Sequence, residues 1–127
     1  MNTTVVGLGS NINPVENIAR AQKLISQEHL IIAKSPLIQT APIGLKEQDN
    51  FLNGALLVKT ELDYPNFKQY LKKIEISMGR KKTPIKSGSR TIDLDIIVWN
   101  GKILHRDFQH RDFVRQSVLE LIPDLKW

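Results

Sequence analysis

From Thr91 to Trp99 the chain alternates, with Ile92, Leu94, Ile96 and Val98 interleaved by Thr91, Asp93 and Asp95. Side chains two residues apart share a face only when the backbone is extended; a helix would scatter them. The segment therefore reads as a strand with one apolar face to bury and a second face that carries two carboxylates. A sheet with something packed on its apolar side and chemistry on the other is the frame the rest of the chain has to supply.

Elsewhere strand and helix periods take turns. Residues 3–8 form a β-branched run that stops at Gly9-Ser10-Asn11, and Asn13-Pro14 follows as a helix cap with proline at the first helical position. The spacing of Val15, Ile18, Ala21 and Ile25 predicts a helix over about 14–28 with those four on its buried face. Leu30 to Gln39 reads as one strand ended by Thr40-Ala41-Pro42-Ile43-Gly44, and Phe51 to Thr60 as a second, paired with it across a wide hairpin through the polar loop Leu45 to Asn50. A second helix starts near Pro65, buries Phe67, Leu71, Ile74 and Met78, and stops at Gly79. After the loop Arg80 to Arg90 comes the alternating strand, and then a final helix near Arg111 to Leu121 that turns Val114, Val118 and Leu121 inward. The order βαββαβ plus a helix is that of an α+β, ferredoxin-like sandwich, an antiparallel sheet with helices on one face.

The 127 residues fit one domain, 1–127, and a hydrophobic fraction of 41% with 24% charged residues is that of a globular protein. No apolar run reaches the roughly 20 residues of a membrane-spanning helix, and the N-terminus reads as a strand rather than a secretory signal, so a cytoplasmic location is expected. The absence of cysteine rules out disulfides and thiolate metal sites. A net charge of +5 favours an anionic partner. Its distribution is more telling: Lys72 to Arg90 is strongly basic with Glu75 as its one acid, while Glu47 to Asp63 is not basic. Local charge of this kind suits one polyphosphate.

Asp93 and Asp95, at i and i+2 of a strand, point the same way and lie close enough for both to bind hard cations. A bare Asp-x-Asp also suits an edge strand whose polar face is only solvated. Here Arg80, Lys81, Lys82, Lys86 and Arg90 precede the pair in a loop with Gly79 and Gly88, supplying cations for phosphate oxygens. Gly7-x-Gly9 lacks the third glycine of a dinucleotide-binding turn, and no Walker loop or Ser/His/Asp triad occurs. Phe51, Asn53 and the bend Thr40 to Gly44 flank one loop and offer an aromatic face, an amide and backbone groups to a flat heterocycle; Phe51 in the core and Asn53 at a strand end is the alternative. His105 and His110, beside Arg106 and Arg111, are either phosphate ligands or surface histidines. His29, after the first helix, reads as a cap or a solvated residue.

In order along the chain, Gly9-Ser10-Asn11, Thr40-Ala41-Pro42-Ile43-Gly44, Phe51-Leu52-Asn53, Glu75 with Gly79-Arg80, and Gly88-Ser89-Arg90-Thr91-Ile92-Asp93-Leu94-Asp95 resemble the 6-hydroxymethyl-7,8-dihydropterin pyrophosphokinase family. The resemblance implies transfer of pyrophosphate from ATP to the pterin in folate biosynthesis, with two Mg2+ ions on Asp93 and Asp95. It implies that Phe51 and Phe113 sandwich the pterin while Asn53 and residues Thr40, Ala41, Pro42, Ile43 and Gly44 read its edge. ATP would meet Lys72, Glu75, Arg80, Lys82, Arg90, Ile96, His105, Arg106 and Arg111, with Arg80 and Arg90 acting alongside the two aspartates in catalysis. Ser87 stands where the family has tryptophan in its lid loop, and Ser89 where it has proline; Lys72 and Arg106 are further departures, and the stretch from Ile96 to His105 is short. These departures leave a catalytically weak pterin- or nucleotide-binding relative as the alternative. A nucleic-acid-binding ferredoxin-like domain fits less well, since aromatic residues are only 6% and do not cluster. The expected partners are ATP and the pterin, with no nucleic acid or membrane, and the expected state is a monomer.

Overall fold

A computed structural model describes residues 1–41, 50–79 and 91–127. Pro42, Ile43, Gly44, the loop residues up to Asp49, and the basic loop Arg80 to Arg90 lie outside the described residues. The elements are β1 (Asn2–Ser10), α1 (Pro14–Glu28), β2 (Leu30–Lys34), β3 (Ile38–Thr40), β4 (Phe51–Thr60), α2 (Tyr64–Ser77), β5 (Asp93–Trp99), β6 (Lys102–Ile103), α3 (Asp107–His110) and α4 (Asp112–Leu121). The strands form one antiparallel sheet in the order β2-β4-β1-β5-β6, with β3 also paired to β4. This is the α+β ferredoxin-like sandwich expected from the period changes.

The sheet is covered on both faces. Val6 and Leu8 of β1, Leu56 and Val58 of β4 and Leu94 and Ile96 of β5 pack with Ile18, Ala21 and Ile25 of α1 and Phe67, Leu71, Ile74 and Met78 of α2. On the opposite face Val5, Ala55, Ile97 and Val98 pack with Phe108 of α3 and Val118 of α4. The final helix thus closes a second layer rather than joining the first two. Strand alternation decides this: Val5 and Val6 are neighbours in sequence and belong to different cores.

Several local expectations change in the structure. The strand read from Leu30 to Gln39 breaks at Ser35-Pro36-Leu37, because proline has no N–H to give the ladder. Ser35 bridges the gap: its N–H donates to the Ala55 carbonyl at 2.9 Å, and its Oγ accepts from the Ala55 N–H at 2.8 Å. Val15 is 69% exposed, not buried. At 100° per residue Pro14 continues the stripe of Ile18, Ala21 and Ile25, and Val15 falls to one side of it. Asn13 occupies the cap position in a left-handed conformation, φ 40°, with no side-chain cap hydrogen bond. Asp63 does cap α2, accepting from the Asn66 N–H at 3.0 Å. Val98 leaves the face of Leu94 and Ile96, because a bulge between Val5 and Val6 puts Ile97 and Val98 both toward the second core. Asn100-Gly101, both at positive φ, turn β5 back into β6.

Candidate active site

β1 crosses the site with no side chain to show on its second face. Gly9 pairs with Asn53 of β4 on one side and Asp93 of β5 on the other; Gly7 pairs likewise with Ala55 and Asp95. Since adjacent strands sit about 4.8 Å apart, Asn53 and Asp93 face each other across a glycine-floored gap of about 10 Å. A trough of that width admits a flat ring. Gly9 also gives Asn53 its room, for a Cβ there would lie 2.6 Å from the Asn53 Oδ1. The amide is held from the other side, its Nδ2 donating to Thr40 Oγ1 at 2.6 Å, which β3 provides by pairing Thr40 with Phe51.

α4 closes the trough from above. A cavity of about 300 Å³ is lined by Gly7, Gly9, Thr40, Ala41, Phe51, Asn53, Asp93, Asp95, Asp107, Arg111 and Phe113, and also by Gly54, Ala55, Ile97, Val114, Ser117 and Val118. Phe51 and Phe113 are both only partly buried, so their rings serve the cavity rather than either core. One end of the cavity is therefore amide and hydroxyl, the other carboxylate, and the walls are aromatic. Such a set of groups can hold a planar heterocycle.

Of the residues expected around a nucleotide, Arg111 lines the cavity, and others stand apart from it. Glu75 is 4% exposed on α2 and accepts the Leu94 N–H at 2.8 Å through Oε2. Since it is taken by Glu75, that amide points away from β1 to the outer side of β5, which Glu75 closes. Lys72 is exposed one turn earlier on α2. Ile96, 7% exposed, sits in the core under α1 and α2, so its side chain is turned from the cavity. His105 accepts from the Asp107 N–H through Nδ1 at 3.1 Å, and Arg106 is exposed at the start of α3. Arg80, Lys82 and Arg90 lie outside the described residues.

Asp93 and Asp95 fit a hard divalent cation: both oxygen donors rise from one strand face, Asp95 exposed and Asp93 partly so. Among the described residues no third His, Asp or Glu joins them as a metal cluster, so the remaining positions suit water and phosphate oxygens, as magnesium prefers. His29, away from this site, is not solvated as one reading of the sequence had it. Its ring meets Phe67 and Tyr70 at centroid distances of 5.3 and 4.5 Å, and burial lowers its pKa against the raising effect of Glu28.

Among the cavity-lining residues, sequence reasoning weighs Gly7 and Gly9 as a dinucleotide-binding turn and sets that aside, and it does not single out Asp107 or Ser117. Two glycines at i and i+2 inside a β-branched run are a signal of close approach to a strand face. A family profile described as 7,8-dihydro-6-hydroxymethylpterin-pyrophosphokinase matches residues 5–123. The 2-amino-4-hydroxy-6-hydroxymethyldihydropteridine pyrophosphokinase of Haemophilus influenzae is 34% identical over 98% of this chain and 84% of its own length. That of Helicobacter pylori is 36% identical over 99% of this chain and 73% of its own. The Folic acid synthesis protein fol1 of Schizosaccharomyces pombe is 36% identical over 94% of this chain, which spans 18% of that longer protein.

Proposed function

The chain belongs to the 7,8-dihydro-6-hydroxymethylpterin-pyrophosphokinase family, and on that premise we propose how its residues perform the reaction. It is an ATP-dependent diphosphotransferase of folate biosynthesis, giving AMP and the pterin diphosphate. The pterin lies on the Gly7–Gly9 floor between Phe51 and Phe113. Asn53, fixed by Thr40, reads one polar edge, together with Ala41 and the neighbouring Pro42, Ile43 and Gly44 of the sequence. This orientation directs the hydroxymethyl arm across the trough toward β5.

Asp93 and Asp95 would hold Mg2+, two ions in this reading, and the metal would supply charge neutralisation on the phosphate oxygens. The hydroxymethyl oxygen bonds to the β-phosphorus of ATP as the bond from that phosphorus to the oxygen of AMP breaks, and the hydroxyl proton is released. Arg80, Arg90, Lys82 and Arg111 take up charge on the moving group, and Lys72, Glu75, Ile96, His105 and Arg106 belong to the nucleotide side. No described side chain is placed as a strong general base on the arm, in keeping with catalysis by positioning and electrostatics. In this reading the enzyme is a cytoplasmic monomer that works on two small substrates. Among the described residues no helix is long and apolar enough to cross a membrane.

The observation that carries the proposal is the register that sets Asn53 and Asp93 on either side of Gly9. Turnover with ATP and 6-hydroxymethyl-7,8-dihydropterin, followed by chromatography of both products, should give AMP and a pterin diphosphate in equal amounts. ADP with a pterin monophosphate would overturn the assignment of the attacked phosphorus.

A further inference from the structure

Ser117 stands one turn beyond Phe113 on α4, on the same side of the helix. It is 3% exposed, it lines the cavity, and its hydroxyl has no hydrogen-bond partner among the described residues. Serines in helices commonly donate back to a carbonyl three or four residues earlier. Ser26 does so to Lys23 and Ser77 to Ile74, each at 2.8 Å. Ser117 does not. Val114 and Val118, which flank it on α4 and line the same cavity, bring no polar side-chain atom. A buried hydroxyl left without a partner costs free energy that alanine would not, so a ligand that brings a polar atom to this wall gains by supplying one.

We propose that Ser117 determines ligand specificity: its hydroxyl hydrogen-bonds the heterocycle held between Phe51 and Phe113, directly or through one water that enters with it. The inference rests on the pterin reading above and extends it. Asn53 and Thr40 serve one edge of the ring from β4 and β3. Ser117 serves another from α4, on the far wall of the same cavity. A hydroxyl both donates and accepts, so it matches either a ring nitrogen or an N–H of the ligand. A ring without a polar atom at that edge leaves the hydroxyl orphaned and binds less well for that reason.

The test uses calorimetric binding of 6-hydroxymethyl-7,8-dihydropterin in the presence of Mg2+ and a non-hydrolysable ATP analogue. Wild type is compared with Ser117→Ala, which removes the hydroxyl, and Ser117→Cys, which fills its place with a larger sulfur that bonds weakly. Both variants should bind the pterin about three- to tenfold more weakly, the range expected for one neutral hydrogen bond. KM for the pterin should rise with kcat little changed, affinity for the ATP analogue should hold, and the Tm of the free protein should equal or exceed that of wild type. Unchanged pterin affinity in both variants overturns the proposal, and so does a loss confined to Ser117→Ala or accompanied by a lower Tm, which would mean packing. A folded wild type that binds no pterin would fail the proposed function itself and the inference with it. A wild type that binds while both variants match it fails the inference alone.

Discussion

The two faces of the sheet are made from alternate residues of the same three strands, and they solve opposite problems. Toward α1 and α2, Val6, Leu8, Leu56, Val58, Leu94 and Ile96 are all buried against large side chains. Toward α4 the inner half is a core of Val5, Ala55, Val98, Phe108 and Val118, but the outer half presents Gly7, Gly9, Asn53, Asp93 and Asp95 to a cavity. A packed face holds the strands in register; the adjoining face can then leave space because its neighbour does not depend on it. The difference teaches that catalytic geometry here is borrowed: the distance from Asn53 to Asp93 is set by strands fixed from below.

Reciprocal substitutions test that division most strongly. Leu71, buried under the sheet, should cost about 2–5 kcal/mol of stability as Leu71→Ala, while activity per folded molecule stays near wild type. Asp95→Asn, on the other face, should cut turnover on the order of a hundredfold or more, with a loss of stability in the free protein that is small beside that of Leu71→Ala. It should also lose the extra Tm that Mg2+ with an ATP analogue gives wild type. Denaturation curves and rates on the same samples decide it; a variant of either kind that shifts both quantities strongly breaks the comparison.

A smaller effect separates the two glycines of the trough. Gly9→Ala brings a Cβ to 2.6 Å from Asn53 Oδ1, whereas Gly7→Ala meets the Ile97 side chain at 3.1 Å. The first must displace the amide that reads the ligand, at about 1–3 kcal/mol of strain, with pterin affinity falling by roughly tenfold or more. The second needs only a shift of Ile97 and should be milder in binding and stability alike. Equal pterin affinities for the two variants would sharpen the point in the other direction, removing Asn53 from recognition.

The smallest effect lies on the packed side, at His29. Its Nε2 is buried without a hydrogen-bond partner among the described residues, and burial lowers the folded pKa below 6.5, with Glu28 opposing. The unfolded chain therefore takes up the proton first. Stability should be whole above about pH 6.5 and decline as pH falls from there toward the folded pKa. His29→Leu should lose that part of the decline, seen as a smaller drop in Tm between pH 8 and pH 5.5 than in wild type. An identical drop in both proteins would show that the ring's burial has no linkage to folding.

What the sequence determined by itself was periodicity and chemistry of short range. The stripes of α1 and α2, the alternation of β5 and the shared face of Asp93 and Asp95 all follow from 3.6- and 2-residue repeats, which local backbone geometry imposes before any packing. Asn100-Gly101 carried an equally local hairpin signal that the reading overlooked. The tertiary structure decided whatever depends on a partner distant in sequence. The bulge that moves Val98 to the second core is a mismatch between β1 and β5, invisible in either alone. Glu75 closes β5 because α2 lies beside that edge, and Ser117 reaches the cavity because α4 crosses the sheet's second face. Register placed Gly9 between Asn53 and Asp93, and register is a property of pairs of strands, fixed by how their apolar faces meet across the whole core.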